Sequence, residues 1–390
     1  MQKSDWKKCK LGDVAQFKTG KLNSNAAVSN GRYLFFTCAP QPLKIDSYAY
    51  DQQAILLAGN NADGNFAIHY YEGKFNAYQR TYIINTLDNN SHLKYLYYAL
   101  SQCLSDFKLL SQGTSTKFLT AVILNNFEIN LPPVEEQKRI ADILGAFDDK
   151  IELLQKQNKT LEDMAKTIFK SWFVNFDVVK AKQRGDSKAD IMQEYHLTEE
   201  LYALFPSSFE DSSLGPIPSG WEVKVISDIA KVSTGKRPQI TKDEKTELYK
   251  VPVYGGNGIK WWTDKPLYTN PIIITGRVGT LGQVYRIYDF VWVSDNALVF
   301  ETMPEDFEYL FYNLKNIDFS SFNRGSTQPL ITQGDIKHIS CVYSEAIIKK
   351  FHTIVIQYER KIQNNNKQIQ TLTELRDSLL PRLISGKIEV

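Results

Sequence analysis

The sequence predicts an α+β protein made of two similar halves, each a strand-rich globular part followed by one long helix. Three observations predict this class. Blocks of residues recur in the same order at a nearly constant separation. Short apolar runs separated by Gly and Asn fill the globular parts. Two further stretches carry apolar residues at steps of three and four along the chain.

The internal repeat indicates a tandem duplication. Three landmarks near the start of the chain are matched 215 positions later, and these pairs are Trp6 with Trp221, Asp13 with Asp228, and Thr19-Gly20-Lys21 with Thr234-Gly235-Lys236. Further on, QGTSTKFLT at 112–120 matches RGSTQPLIT at 324–332, now 212 positions apart. Because the blocks keep their order and spacing, we expect two copies of one fold.

Each copy begins with strands and ends with a helix. Strands are predicted at Ala54–Ala58, Thr81–Ile84, Pro271–Thr275 and Val291–Val293. The first long helix is predicted to begin after Pro132-Pro133, and the second to end before Pro381. A helix of about 36 residues is a rod of roughly 54 Å.

The apolar stripes of the two helices are narrow and heptad-like, which favours lengthwise pairing as a coiled coil. The candidate pairing residues are Ile140, Phe147, Ile151, Leu154 and Leu161 in the first helix and Phe351, Tyr358, Ile362, Ile369 and Leu372 in the second. The alternative is that each helix is buried separately on its own globular part. A lone helix of this length would need its stripe covered, and the other helix is the simplest cover.

Composition excludes several classes. The chain has 390 residues, of which 43% are hydrophobic and 23% charged, so collagen-like, mucin-like and largely disordered proteins are excluded. No apolar run reaches the roughly 18 residues of a membrane span, and no signal peptide is expected. The four cysteines form no CxxC pair, which is typical of a reduced, cytoplasmic protein. The net charge of +2 says little about partners.

The sequence offers no catalytic or metal-binding pattern. Gly59 and Gly64 have Walker A spacing, but Asn65 stands where a lysine is required. The five histidines lie far apart, without metal-ligand spacing to Cys or carboxylates. Asp148-Asp149 is interpreted as a solvated helix face. We therefore predict that the chain has no active site and binds no metal.

Several loops instead carry residues that suit DNA. Arginine can read guanine through two hydrogen bonds, Gln and Asn can read adenine, and hydroxyl and backbone N–H groups suit phosphates. Any one of these loops could equally be a structural turn, but they recur in both copies. The candidates are Thr19, Lys21, Asn60, Asn61, Arg80, Thr114, Ser115 and Lys117 in the first copy and Lys236, Arg237, Asn257, Lys260, Trp261, Arg277, Arg324, Ser326, Thr327 and Gln328 in the second.

With these residues in place, the chain resembles the specificity (S) subunit of type I restriction–modification enzymes over essentially its whole length. No single tetrapeptide is decisive; the ordered set is specific. Its marks are Trp6-Lys-x-x-x-Leu11-Gly-Asp13, Leu56-Leu-Ala-Gly59, Phe75-Asn-Ala-Tyr-Gln-Arg80, Pro133-Val-Glu-Glu-Gln-Lys-Arg-Ile140, Ser171-Trp-Phe-Val-Asn-Phe176, Leu214-Gly-Pro-Ile-Pro-Ser-Gly-Trp221, Val253-Tyr-Gly-Gly-Asn-Gly-Ile259, Gly276-Arg-Val-Gly279, Val293-Ser-Asp-Asn296 and Gly325-Ser-Thr-Gln328.

The resemblance implies a specific domain organisation. Residues 1–132 and 219–343 would be two target recognition domains, each resembling the recognition domain of the TaqI adenine methyltransferase. Residues 133–174 and 344–390 would hold conserved helices 1 and 2, the second with a C-terminal tail, joined through a connector at 175–218. The helices would pair antiparallel in a coiled coil and hold the two domains apart, in a pseudo-twofold, circular repeat.

The resemblance also implies a function. The chain would be a non-catalytic, cytoplasmic subunit in which each domain reads one half of a bipartite, asymmetric double-stranded DNA target. The helices would set the spacer and dock two methyltransferase (M) subunits, which hold S-adenosylmethionine and methylate adenine; two restriction (R) subunits with ATP and Mg would complete the complex. No cofactor or membrane is expected for this chain. The alternatives are an S-like scaffold that binds M subunits without reading DNA sequence, and a nuclease with an unrecognised site.

Overall fold

The computed structural model describes residues 6–278, 282–322 and 330–390. The chain divides into two compact units. Unit 1 comprises the residues up to 156 together with 365–390, and unit 2 comprises residues 157–364. Among the helices in the described ranges, none combines the length and the apolar character needed to cross a bilayer.

Unit 1 contains the first ten strands and the first three short helices, and the long helix α4 begins in it. The strands are β1 (Lys7–Lys10), β2 (Ala15–Thr19), β3 (Tyr33–Phe36), β4 (Leu43–Ile45), β5 (Tyr50–Ala58), β6 (Asn60–Asn61), β7 (Ile68–Ala77), β8 (Thr81–Thr86), β9 (Lys117–Phe118) and β10 (Glu128–Leu131). The helices are α1 (Leu93–Gln102), α2 (Leu104–Leu110), α3 (Ala121–Asn126) and α4 (Val134–Phe169).

Unit 1 is built on a six-stranded sheet of order β2-β8-β5-β7-β3-β4. Only the β3–β7 pair within this sheet is parallel. The C-terminal half of β5, with Ile55 and Leu57 fully buried, packs on α1 in the main core of the unit. Tyr95 of α1 is also fully buried, and its hydroxyl donates to the carbonyl of Asn130, 2.9 Å away. Helix α1 is thereby fixed to the strand β10 that precedes α4.

The long-helix segments of unit 1 contact each other in opposite directions along the chain. Arg139, near the start of α4, donates to the backbone carbonyl of Val390 at 3.1 Å. Asp148, further along α4, binds Arg376 at 2.7 Å. Between these contacts Leu144 shares the main core with Leu380. Within this unit, residues with higher numbers in α4 therefore contact residues with lower numbers near the C-terminus.

Unit 2 contains the remaining strands and helices. The helices are α5 (Asp177–Arg184), α6 (Lys188–Glu194), α7 (Glu199–Leu204), α8 (Ile226–Ile229), α9 (Phe307–Asn316), α10 (Gln333–Lys337) and α11 (Glu345–Ile384), the last of which continues into unit 1. The strands are β11 (Phe209–Ser212), β12 (Gly215–Pro218), β13 (Glu222–Val225), β14 (Ala230–Thr234), β15 (Val251–Gly255), β16 (Gly258–Thr263), β17 (Ile272–Gly276), β18 (Val284–Ile287), β19 (Trp292–Val293), β20 (Ala297–Thr302) and β21 (Ser340–Tyr343).

Two sheets form the globular part of unit 2. Their strand orders are β14-β20-β17-β18 and β16-β15-β19. The strand β13 pairs with β21 as β1 pairs with β10 in unit 1. Tyr309 on α9 donates to the carbonyl of Val342, as Tyr95 on α1 does to Asn130. The two units thus share the same paired strands and the same tyrosine contact, but they differ in the number and size of their larger sheets.

The long-helix segments of unit 2 join a large aromatic cluster. Phe169, the last residue of α4, lies 6.0 Å from Phe351 of α11 between ring centroids. The chain then forms a π-helical turn, Lys170–Val174, whose Trp172 also packs on Phe351 at 6.1 Å. Trp221 packs against Phe173 of that turn, with 6.0 Å between the ring centroids, so the residue that opens the second sequence repeat is buried on the turn that follows α4.

Three sequence expectations need correction. Helix α11 runs through Pro381 instead of ending before it, because Leu380 and Leu383 are buried and hold the last turn in place. Asp148 is not part of a solvated face, since two side chains bind it. The prolines and glycines of the connector at 175–218 predict an irregular link, but the segment forms three short helices and the hairpin β11–β12.

Candidate nucleic-acid interface

In unit 1 the first candidates lie where β2 ends. Thr19 is the last residue of β2, and the next backbone N–H, that of Gly20, donates to the carbonyl of Thr81 at 3.2 Å. A Cβ on Gly20 would lie 2.0 Å from the carbonyl oxygen of Ala77, so only glycine fits here. This close approach places the exposed Lys21 beside the turn that connects β7 to β8.

Arg80 links that turn to two further candidate loops. Its carbonyl accepts from the N–H of Gly59 at 2.7 Å, and the carbonyl of Gly59 accepts from Leu119 at 2.9 Å. The exposed Arg80 guanidinium lies 5.2 Å from the ring centroid of Phe118. Because stacking on a ring orients a guanidinium without neutralising it, the charge stays available to a ligand.

The two asparagines after Gly59 differ in what binds them. The Oδ1 atom of Asn61 accepts from the backbone N–H groups of Asp63 and Asn65, at 2.8 and 3.1 Å, and so holds its own turn. The Oδ1 atom of Asn60 is buried without a hydrogen-bond partner among the described residues. Asn60 therefore has an acceptor that a ligand could satisfy, whereas this atom of Asn61 is already used.

The loop at 112–118 completes the cluster of unit 1. Gln112 and Phe118 exchange two backbone hydrogen bonds of 3.0 and 2.7 Å, so the residues between them form a closed, projecting loop. Thr114 and Ser115 are exposed in this loop. Lys117 pairs with Asn61 through the β6–β9 ladder. All eight candidates of the first copy thus lie on connected loops at the same end of the sheet.

In unit 2 the equivalent strand end repeats the arrangement. The N–H of Gly235 donates to the carbonyl of Ala297 at 3.1 Å, and a Cβ on Gly235 would lie 2.3 Å from the carbonyl oxygen of Ser294. The N–H of Lys236 donates to the carbonyl of Val293 at 2.8 Å. Lys236 and the following Arg237 are both exposed.

Arg277 follows the end of β17, which pairs with β20 on the side opposite to β14. Its N–H donates to the carbonyl of Asn296 at 3.1 Å, and its own carbonyl accepts from Ile331 at 2.9 Å. The side chain is half-buried, and its Nε atom is buried with no hydrogen-bond partner in the described part of the chain. The Nε–H group is therefore an unused donor at this strand end.

The hairpin β15–β16 brings three more candidates to this site. A Cβ on Gly256 would lie 3.0 Å from the Cα atom of Gly276, so the hairpin tip touches the end of β17. Asn257 is exposed at the tip, and Lys260 follows on β16 with its Nζ atom 5.3 Å from the ring centroid of Trp261. Arg324, Ser326, Thr327 and Gln328 lie outside the described residues.

Sequence reasoning missed two features of these sites. Asn296 was quoted only as part of a family motif, yet its carbonyl holds Arg277 and its side chain is exposed. The second feature is the run KYLYYAL at 94–100, which matches EYLFYNL at 308–314 and puts Tyr95 and Tyr309 in the same role. A search for repeats at a separation near 214 would have found it.

The chemistry of both sites is binding chemistry. They present amide, hydroxyl, ammonium and guanidinium groups, the set that contacts phosphates and base edges. His69, near the site of unit 1, packs on Phe36 with 5.5 Å between the ring centroids, and burial lowers its pKa. Among the residues that the structure describes, no three His, Cys, Asp or Glu side chains are grouped so as to hold a metal ion.

Comparison with known proteins places the chain in a family. The family described as "Type I restriction modification DNA specificity domain" matches residues 3–163 and again 218–374. The type I restriction enzyme MjaIX specificity subunit of Methanocaldococcus jannaschii is 31% identical, over 76% of this chain and 69% of its own length. The HindI specificity subunit of Haemophilus influenzae is 25% identical over 99% of this chain and 100% of its own.

A solved structure supports the same assignment at the level of the fold. The S subunit of a type I restriction–modification system from M. genitalium superposes with a TM-score of 0.61 at 20% identity, covering 97% of this chain and 96% of that one. The mixed α/β fold with two specificity domains is therefore shown, and the family's connection to DNA specificity favours the DNA-reading interpretation over the scaffold alternative. The chain belongs to the family of type I restriction–modification specificity subunits.

Proposed function

We propose that each unit reads one half of a bipartite, asymmetric DNA target. One observation carries this proposal. The same network of backbone hydrogen bonds lies at the ends of β5 in unit 1 and β17 in unit 2, but the side chains attached to it differ between the units. In unit 1 the network carries Arg80 and Asn60, and in unit 2 it carries Arg277 and Asn296. A common frame with different polar groups suits two modules that recognise different base sequences.

The two long helices would keep these modules apart. The helix contacts within each unit support antiparallel pairing: Arg139 with Val390 and Asp148 with Arg376 in unit 1, and Phe169 with Phe351 in unit 2. A helix of 36 residues such as α4 is about 54 Å long. A DNA turn measures about 34–36 Å, so the helices are long enough to place two half-sites about one turn apart.

The same helices would dock the other subunits of the complex. Helix α4 exposes Ile143, Leu153 and Met164, with 37%, 48% and 44% of their surface accessible, but single exposed apolar side chains are common on any surface, so the docking proposal rests on the family to which the chain belongs. We propose two M subunits holding S-adenosylmethionine and two R subunits using ATP and Mg as partners. The chain itself would need no cofactor and would catalyse no step, and each recognition module would resemble that of the TaqI methyltransferase.

Methylome sequencing tests this function. The full chain is expressed with the M subunit of its own system in a host that lacks other adenine methyltransferases. The expected result is methylated adenine in a motif of two short specified blocks separated by unspecified bases. A single uninterrupted motif would contradict two-module reading, and methylation without any sequence motif would support the scaffold alternative.

A further inference from the structure

The two units carry matching positions that the sequence alignment does not reveal. Ala58 pairs with Thr81 at the end of β5, and Gly276 pairs with Ala297 at the end of β17. These two pairs are equivalent, and they define which residue of unit 1 corresponds to which residue of unit 2. The residues one step beyond the strand end are then Gly59 in unit 1 and Arg277 in unit 2.

Three backbone hydrogen bonds confirm this correspondence. Each connects the strand end to a neighbouring loop, and the lengths agree within 0.4 Å between the units. In unit 1 they are Gly20 N to Thr81 O at 3.2 Å, Gly59 N to Arg80 O at 2.7 Å and Leu119 N to Gly59 O at 2.9 Å; in unit 2 they are Gly235 N to Ala297 O at 3.1 Å, Arg277 N to Asn296 O at 3.1 Å and Ile331 N to Arg277 O at 2.9 Å. Arg80 therefore matches Asn296, and Gly59 matches Arg277.

The arginine occupies a different one of these two positions in each unit. At the position whose carbonyl accepts the hydrogen bond, unit 1 has the exposed Arg80 and unit 2 has the exposed Asn296. At the position whose N–H donates it, unit 1 has Gly59 and unit 2 has the half-buried Arg277. Glycine is required in unit 1, because a Cβ on Gly59 would lie 2.5 Å from the carbonyl oxygen of Arg80. Each unit thus presents one arginine at this junction, from opposite sides of the same backbone hydrogen bond.

From this difference on a common backbone frame, and on the basis of the proposed function, we infer that Arg80 and Asn296 occupy one base-reading position, and that this position decides a base in each half-site. A guanidinium pairs with the O6 and N7 atoms of guanine, and a carboxamide pairs with the N6 and N7 atoms of adenine. The half-site of unit 1 then requires guanine opposite Arg80. The half-site of unit 2 requires adenine opposite Asn296, beside a guanine read by Arg277.

Exchanging the two side chains tests this assignment. The full chain in complex with its M subunits selects duplexes from a pool with randomised bases, and the enriched motif is sequenced. Arg80→Asn is expected to change one guanine to adenine in one half-site, and Asn296→Arg to change one adenine to guanine in the other. Affinity for the original sequence should fall about 10-fold to 100-fold in each variant.

Two controls separate base reading from charge and from folding. Arg80→Lys keeps the charge but loses the two-pronged geometry, so it should lose discrimination at that base while retaining affinity for unselected DNA. Arg32→Asn makes the same chemical change at the residue that precedes β3, at the end of that strand away from the candidate site. This control should leave the motif unaltered. An unchanged motif in both exchange variants, or a loss of affinity that is equal for all sequences, would overturn the inference. Failure of the unsubstituted complex to select a two-part motif would instead refute the proposed function.

Discussion

Asp148 accepts a hydrogen bond from the Tyr98 hydroxyl at 2.5 Å through one carboxylate oxygen and from Arg376 at 2.7 Å through the other. Three elements of unit 1 meet in this contact: α1 of the globular part, α4 and α11. Burial and the neighbouring Asp148 raise the pKa of Tyr98, so the hydroxyl stays protonated and remains a donor. The contact therefore fixes the globular part of unit 1 to both long-helix segments of the same unit.

Replacing Asp148 with alanine should destabilise unit 1. The substitution removes the acceptor of the Tyr98 hydroxyl and leaves Arg376 with Asp377 alone, which should cost about 1–3 kcal/mol of unfolding free energy. Urea unfolding of the full chain measures this loss. Asp149→Ala is the matched control, because the neighbouring carboxylate has 75% of its side chain exposed and only a 3.6 Å contact with Lys94; its effect should stay within about 0.5 kcal/mol. Equal losses of unfolding free energy in both variants would contradict a specific stabilising role for the Asp148 contact.

A second buried polar cluster in unit 2 predicts a dependence on pH. Arg286 on β18 binds Glu308 of α9 at 3.0 Å and Glu359 of α11, and both carboxylates are almost fully buried. Burial raises the pKa of Glu359 from 4.5 to about 7, even though Arg286 opposes the shift. Because the carboxyl ionises at lower pH when unfolded than when folded, stability is lost as pH rises from about 4.5 to 7.

Glu359→Gln removes that loss. At pH 8 the variant should be about 1–3 kcal/mol more stable than the unsubstituted chain. At pH 4 it should gain nothing, because the Glu359 carboxyl is then mostly neutral in both the folded and the unfolded chain. Thermal melts at the two pH values measure the difference. Glu162→Gln serves as the control, since Glu162 lies 3.6 Å from the same guanidinium but has 51% of its side chain exposed. A gain at pH 8 in both variants, or a loss in Glu359→Gln, would contradict the buried-carboxylate account.

Gly235→Ala should damage the candidate interface of unit 2. The added methyl group would lie 2.3 Å from the carbonyl oxygen of Ser294, so the strand end must move apart, at a cost of about 2 kcal/mol or more. Binding to the selected duplex should weaken through one half-site only. Gly334→Ala on α10 is the control, because its Cβ would meet nothing closer than 3.6 Å. Retained stability and binding in Gly235→Ala would show that the close approach is not needed.

Matched shortening of both helices should change the spacer of the DNA motif. In the antiparallel helix pair proposed above, removing seven residues from α4 and the seven residues of α11 that would face them shortens the pair by about 10 Å, which corresponds to about 3 base pairs of duplex. The methylated motif should then keep both specified blocks with a shorter gap. Removing seven residues from α4 alone should instead break the pairing and abolish motif selection. A gap that is unchanged after matched shortening would show that the helices do not set the spacer.

Sequence patterns predicted the elements whose signals are local. The strands at Ala54–Ala58 and Thr81–Ile84 lie within β5 and β8, because apolar runs of β-formers specify buried strands directly. The repeat of Thr19-Gly20-Lys21 at Thr234–Lys236 located equivalent strand ends in both units. Glycines at these positions mark close backbone approaches, which the structure shows.

Relationships between distant residues could not be read from the sequence. Arg80 and Asn296 match only through their backbone hydrogen bonds to Gly59 and Arg277, and loops of different length shift the repeat separation between the blocks. Asp148 was interpreted as solvated because its partners, Tyr98 and Arg376, lie 50 and 228 residues away. Helix α11 passes Pro381 because tertiary packing of Leu380 and Leu383 outweighs the lost backbone hydrogen bond.

Exchange of residues 219–343 for the corresponding segment of another family member tests two-module reading most directly. The exchanged chain is expressed with the same M subunit, and the methylomes of both hosts are compared. The expected result is a motif in which one specified block is replaced while the other block and the spacer are retained. Replacement of both blocks, or a motif that does not change at all, would contradict the claim that each unit reads its own half of the target.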